Sequence, residues 1–229
     1  MPRPSESARN RSLPPQTGGN GRTPAGLERL REHIRRIEGY GNAPMGAKAR
    51  VLPFGIEEID SRLPGGGLVQ GALHEVFAAD AGIATAFCAL IAGRLSRDGG
   101  AILWCERPRI LDAGALYGPA LPAFGIDPAR LILVRARKDT DVLWAMEEGL
   151  RCARIAVVIG EAAEISLTAS RRLQLAAAES GVTALALRPI LRDANGARTR
   201  PQPSAATTRW RRSAVGEESD DASGDARED

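Results

Sequence analysis

Four short aliphatic runs, at 101–105 (AILWC), 131–134 (LILV), 155–159 (IAVVI) and 182–187 (VTALAL), alternate with segments of helical periodicity, and that alternation constrains the fold most. A run of apolar residues with no polar alternation is a strand covered on both faces. Between the runs, Phe87, Leu90, Ile91 and Leu95 make one helical stripe, and Val142, Leu143, Met146 and Leu150 make another. A third helix spans about 167–179 and stops at Gly181. Strand and helix in strict alternation give a parallel sheet with right-handed crossovers and helices on both faces. A further helical segment is expected at 108–117, ahead of Gly118-Pro119 and Pro122, and a last strand at 207–210 on the sheet edge. Aromatic residues are only 4% of the chain against 43% apolar, so the core must be aliphatic and alanine-rich.

Upstream lies the stretch 51–87, which has the form of an entry into a nucleotide-binding α/β domain. A short helix carrying Ile56 and Ile59 leads to the turn Leu63-Pro64-Gly65-Gly66-Gly67, then to a strand at 72–77, a loop of small residues and a helix. A phosphate loop needs a glycine, four residues, then Gly-Lys-Ser/Thr, so that backbone N–H groups and the lysine surround the phosphates. Laid on this loop, the pattern puts Ala78 at the first glycine, Ile83 at the second, Ala84 at the lysine and Thr85 at the hydroxyl. A β-branched residue resists the backbone conformations of such a nest, and alanine brings no charge. The position of the loop survives without its chemistry, and Asp80, Gly82 and Thr85 are what a rearranged loop would have to use.

No other constellation points to chemistry. Cys88, Cys105 and Cys152 form no C-x-x-C pair, which argues against a disulfide frame or a zinc site. His33 and His74 lie in different elements with no carboxylate at ligand spacing and read as structural, so no metal site is expected. No apolar run reaches the ~20 residues of a membrane span, and the start lacks the apolar core of a secretory signal. A cytoplasmic protein is the expectation. Residues 1–23 read as a disordered arm, 24–41 as an amphipathic helix with Leu27, Leu30, Ile34 and Ile37 on one stripe, and 51–190 as the α/β domain. Residues 191–212 are a basic extension and 213–229 an acidic disordered tail. Arg188, Arg192, Arg209, Trp210, Arg211 and Arg212 are the candidates for partner or DNA contact, with solvated charge, and for Trp210 a role covering the sheet edge, as the alternative readings.

Taken together, these elements resemble the RecA-like ATPase core, to whose lead-in the run IEEIDSRLPGGGLVQGALHEV at 56–76 is similar. Within that superfamily the chain most resembles the ImuA family. The match rests on LPFGIEEIDSRLPGGGLVQGALHEV, on LERLREHIRRIEG, and on ASRRLQLAAAESGVTALALRP and PSAATTRW, and covers about 27–212. The resemblance implies a RecA-like three-layer domain with a mostly parallel central sheet and a degenerate phosphate loop. It places Glu106 where the superfamily's catalytic glutamate falls, with Arg107 available to pair with it. Gly160 falls where an aspartate would serve the metal, and Glu161, one step along, is expected to point to the opposite face. The short interval from Ile159 to Arg171 leaves little room for mobile DNA-binding loops, and Arg171-Arg172 reads as an exposed helix start. The implied function is a non-catalytic accessory role in SOS-induced, error-prone translesion synthesis, with neither ATP nor Mg²⁺ expected as cofactor. The implied partners are an ImuB-like Y-family polymerase homologue and a DnaE-type polymerase, with a link to RecA and indirect contact with DNA at the bacterial nucleoid. The alternatives are a weak ATPase or nucleotide sensor using ATP and Mg²⁺, and a SulA-like regulator of cell division or of RecA.

Overall fold

Each aliphatic run becomes a strand of one sheet in a computed structural model that describes residues 50–63, 65–78, 80–108, 110, 114, 116–190 and 202–211. The expected arm, the amphipathic helix at 24–41, the acidic tail, Arg192 and Arg212 lie outside the described residues. In chain order the elements are β1 (Val51–Leu52), α1 (Glu57–Asp60), β2 (Leu68–Val69), β3 (Leu73–Ala78), α2 (Ala81–Leu95), β4 (Ala101–Glu106) and β5 (Leu131–Arg135). There follow α3 (Asp139–Leu150), β6 (Ile155–Glu161), α4 (Leu167–Ser180), β7 (Thr183–Pro189) and β8 (Thr208–Arg211). The large sheet has the order β5-β4-β6-β7-β3-β8, and every neighbouring pair is parallel. This is the expected three-layer α/β architecture.

Side chains alternate between two cores because the strand period is two. Val76, Ile102, Trp104, Ile159 and Leu187 face α2, where they meet Cys88 and Ile91. Leu103, Val158, Ala184 and Ala186 face α3 and α4, where they meet Val142, Met146, Leu150, Leu173 and Ala177. Leu90 is not part of the buried stripe expected of it; it is 45% exposed. The α4 boundaries follow their sequence signals: Ser166 Oγ accepts from Ala169 N at 3.1 Å, and Gly181 ends the helix at φ +77°.

One local expectation is corrected. The described residues of 108–117 form no helix; a 3₁₀ helix runs instead over Gly118–Phe124, with Pro119 and Pro122 inside it. A tight 3₁₀ turn tolerates prolines that an α-helix interior would not. A two-residue ribbon with no counterpart in the sequence pattern, β1 with β2, pairs Val51 with Val69 and Leu52 with Leu68. Its connection is held by Asp60, whose carboxylate accepts from Phe54 N at 2.7 Å and Gly55 N at 2.8 Å.

β8 sits on the sheet edge beside β3, as expected for 207–210. A partly buried relay fixes it there. Trp210 Nε1 donates to Thr208 Oγ1 at 2.7 Å, Thr208 Oγ1 meets His74 Nδ1 at 2.7 Å, and His74 Nε2 meets the Val69 carbonyl at 2.8 Å. The Nε2–H tautomer of a neutral imidazole satisfies both contacts. Trp210 also packs against Phe54 and Phe87, with ring centroids 5.4 and 5.3 Å away.

Burial lowers the His74 pKa from 6.5 to about 4, partly opposed by its bond to Val69. The unfolded chain therefore binds a proton that the folded chain refuses between those values. The resulting stabilisation is fully present above pH 6.5 and is lost as pH falls toward 4, in all roughly 3 kcal/mol. Glu161, whose pKa is raised, works in the opposite sense on the acid side. The difference between the wild type and His74→Asn isolates the histidine, so the wild type should lose more stability than the variant between pH 6.5 and 4 in urea denaturation.

Gly93 on α2 lets the 3₁₀ helix approach, because a β-carbon there would lie 1.9 Å from the Phe124 carbonyl oxygen. Gly82, three turns earlier on the same helix, would place its β-carbon 3.4 Å from the end of the Asp80 side chain. Gly93→Ala should cost about 1–3 kcal/mol through overpacking, whereas Gly82→Ala should be neutral or gain up to about 1 kcal/mol of helix propensity. Urea midpoints of the two variants check the contrast.

Candidate functional site

The phosphate-loop position lies where β3 gives way to α2, and the connection is only residues 79 and 80. Ile83, Ala84 and Thr85 therefore stand inside the first turns of the helix rather than in a loop. Asp80 is the N-cap, and its Oδ1 accepts from Ile83 N at 3.0 Å. A helix N-terminus attracts anions through its unpaired N–H groups; here a carboxylate of the chain already occupies that place. Ala84, at the lysine position, is buried in the core on the α2 face.

Glu106 and Glu161 end neighbouring strands and both lie on the α2 face. Glu106 is 3% exposed and accepts from Leu116 N at 3.2 Å and from Arg135 Nε at 2.8 Å. Its ion-pair partner is thus Arg135 and not Arg107, whose guanidinium pairs with Asp139 at 2.7 Å. Glu161 points to the face opposite Gly160, as expected, and that face is the one shared with Glu106. Gly160 faces α3, where a β-carbon would lie 2.1 Å from Met146 Sδ, and Glu161 shares the α2 face with Val157 and Ile159. Its two oxygens accept from Trp104 Nε1 at 3.0 Å and Arg107 N at 3.2 Å. Burial raises its pKa, the two hydrogen bonds oppose that rise, and the nearby Glu106 charge adds to it. The acid at the end of β6 is therefore Glu161.

A cavity of about 180 Å³ opens between α2 and the 3₁₀ helix. Gly82 and Thr85 line one side, Leu116, Tyr117 and Leu121 another, and Glu161 contributes a carboxyl group, alone among the described residues of the lining. Burial pushes the Cys88 thiol far above its ordinary value and Cys105 to about 12, with Glu161 adding to both, so neither is a thiolate at neutral pH. Among the described residues no group of three or more His, Cys, Asp or Glu is placed to hold a metal ion.

The basic candidates separate. Arg188 is 6% exposed; it donates to Glu75 Oε1 at 3.0 Å and to the Ala163 carbonyl at 3.0 Å, with its guanidinium 5.3 Å from the Phe77 ring centroid. Arg209 Nε lies 3.0 Å from Glu75 Oε2, as an ion pair without hydrogen-bond alignment, and its NH2 donates to Gln202 O and Ser204 Oγ. These two arginines meet a buried glutamate, Arg188 from within the fold and Arg209 from its exposed edge. Trp210 covers the sheet edge and is half-buried, while Arg211 is exposed. Of Arg171 and Arg172, both exposed, the second pairs with Glu147. Glu75 itself escaped notice in the sequence; the signal was a lone carboxylate in the middle of the apolar strand LHEVFA.

The sheet order, the helices on both faces and the strand-to-helix turn at Asp80 define a three-layer α/β domain with a parallel central sheet, whose glutamates at the ends of β4 and β6 face the first helix after β3. No family model matches the chain. It is 39% identical over 169 residues to Protein ImuA of Caulobacter vibrioides strain NA1000 / CB15N, spanning 70% of this chain and 67% of that protein. The same figures hold for Protein ImuA of Caulobacter vibrioides strain ATCC 19089 / CIP 103742 / CB 15. The chain belongs to the ImuA family. Among solved structures, SulA from Pseudomonas aeruginosa matches with a TM-score of 0.43 at 22% identity, covering 51% of this chain and 97% of that one. No described helix is long and apolar enough to cross a membrane.

Loss of the α2 cap has a definite cost. Asp80→Ala should destabilise the chain by about 1 kcal/mol and Asp80→Asn by markedly less, because asparagine caps almost as well. Equilibrium urea denaturation of the three proteins at one pH checks the order.

Proposed function

We propose that this chain is a non-catalytic, RecA-like accessory protein of SOS-induced, error-prone translesion DNA synthesis. It acts through protein contacts with an ImuB-like Y-family polymerase homologue and a DnaE-type polymerase. Membership of the ImuA family supports the setting in damage-induced mutagenesis. The observation that carries the non-catalytic reading is the Asp80 carboxylate on Ile83 N at the head of α2. A triphosphate at that place would meet a fixed negative charge, only two connecting residues and no lysine, with Ala84 buried where the lysine belongs. Phosphoryl transfer depends on positioned phosphates and metal, so a carboxylate alone cannot supply it. Glu106 and Glu161 are each held by two donors and serve to fix the strand ends. The domain then offers its surfaces, and function lies in those surfaces.

Isothermal titration separates this from the rival reading. The purified chain should give no heat with ATP and Mg²⁺ and clear heat with the ImuB-like homologue of the same organism. Mg²⁺-dependent ATP turnover that Glu106→Gln abolishes would overturn the proposal in favour of a weak ATPase.

A further inference from the structure

The two edges of the sheet are built differently. β8, at one edge, reads Thr-Arg-Trp-Arg: its exposed residues are Arg209 and Arg211, and Trp210 turns inward onto Phe54 and Phe87. Charged side chains on a short edge strand discourage another strand from adding. β5, at the other edge, reads Leu-Ile-Leu-Val-Arg and has no proline, no lysine and no bulge within it. Among the described residues it pairs with β4 alone. Ile132 is 48% exposed and Leu133 is 37% exposed. Their registers, Leu103 with Ile132 and Trp104 with Leu133, put one on each face of the sheet. Exposure on both faces together marks the strand edge, not a bare face, as the uncovered surface.

The chemistry at the end of this edge is one-sided. Arg135 is mostly exposed although it pairs with Glu106, and Arg137 and Lys138 follow it, exposed and outside any ion pair among the described residues. We infer that β5 is a docking edge that receives an extended segment of a protein partner as an added parallel or antiparallel strand, with apolar side chains over Ile132 and Leu133 and carboxylates against Arg135, Arg137 and Lys138. Main-chain hydrogen bonds supply affinity in this mode of recognition, and alternating side chains supply selectivity. The inference deepens the accessory reading above and rests on it only for the identity of a natural partner.

Two probes test it: a fluorescein-labelled decapeptide, TVTVTIDEDE, read by fluorescence anisotropy, and the ImuB-like homologue, read by titration calorimetry. The variants are Ile132→Lys with Leu133→Lys, and Arg137→Glu with Lys138→Glu, which leaves the sheet untouched; circular dichroism confirms that both fold. Wild-type chain should bind both probes, each double variant should weaken them by about tenfold or more, and a peptide with proline at its fifth position should not bind. Equal binding of the proline peptide, or failure of wild-type chain to bind the decapeptide, overturns the inference. Binding of the ImuB-like homologue that survives both double variants overturns it too, and leaves the accessory reading standing. Absence of ImuB binding with intact peptide binding removes the accessory reading and keeps the edge. Sedimentation that shows a wild-type dimer, dissociated by the lysine variant, overturns it by giving the edge to a second copy of the chain.

Discussion

Glu75 stands in the middle of β3 with none of its surface exposed, and a carboxylate there has to be neutralised. An isolated buried charge is among the most costly features a fold can hold, and stripping a buried pair of one partner costs roughly 3–5 kcal/mol. Arg188 of β7 and Arg209 of β8 meet it from the two strands that flank β3. This one residue therefore specifies its neighbours. β3 lies between β7 and β8, with Glu75 in register with Ala186 and Arg209, and a slip of one residue would carry an arginine to the wrong face of the sheet. The His74 relay makes the same connection on the α2 face, through Thr208 and Trp210. A segment that reads as a basic extension is thereby an integral strand.

What the sequence disclosed follows from what each signal depends on. The runs AILWC, LILV, IAVVI and VTALAL are legible as strands because burial on both faces is a local property of composition, and Gly181 is legible as a helix stop because only a left-handed residue ends α4 that way. The ribbon of Val51 and Leu52 with Leu68 and Val69 is too short to carry a pattern. The 3₁₀ helix at Gly118–Phe124 is hidden by prolines that read as breaks. Arg188 and Arg209 look like any solvated arginines until Glu75, distant from both in sequence, is folded between them. For Glu161, alternation places the side chain opposite Gly160, as it stands, but which of the two faces lies under α2 is a tertiary property, seen only in the Trp104–Glu161 hydrogen bond and in Met146 filling the space beside Gly160.

With Glu161 facing α2, two acids end adjacent strands beside the helix that follows β3. Asp80 supplies an anion where the fold would accept one, the connection has no length to wrap a phosphate, and each acid is tied down by a pair of donors. Glu161 binds the Trp104 indole and the Arg107 backbone, and Glu106 binds the backbone of Leu116, so the acids pin the β4 end to the segment leading into the 3₁₀ helix.

The same logic extends to the sheet as a whole. A parallel sheet buries its faces under crossover helices, and each internal strand must satisfy neighbours on four sides: two strands and two helical layers. Such strands change little without loss of stability. An edge strand has one side free of that requirement, so it is where a sheet can acquire contacts at least cost to the fold. Here one edge is closed by Arg209, committed to Glu75, by the exposed Arg211 and by a tryptophan turned inward. The other combines exposed leucine and isoleucine with a basic end. The asymmetry follows from the placement of Glu75: the arginine it recruits from β8 is also what blunts that edge, and no buried acid of β4 recruits a central residue of β5 in the same way. Glu106 reaches only Arg135, at the end of the strand, and leaves Ile132 and Leu133 open.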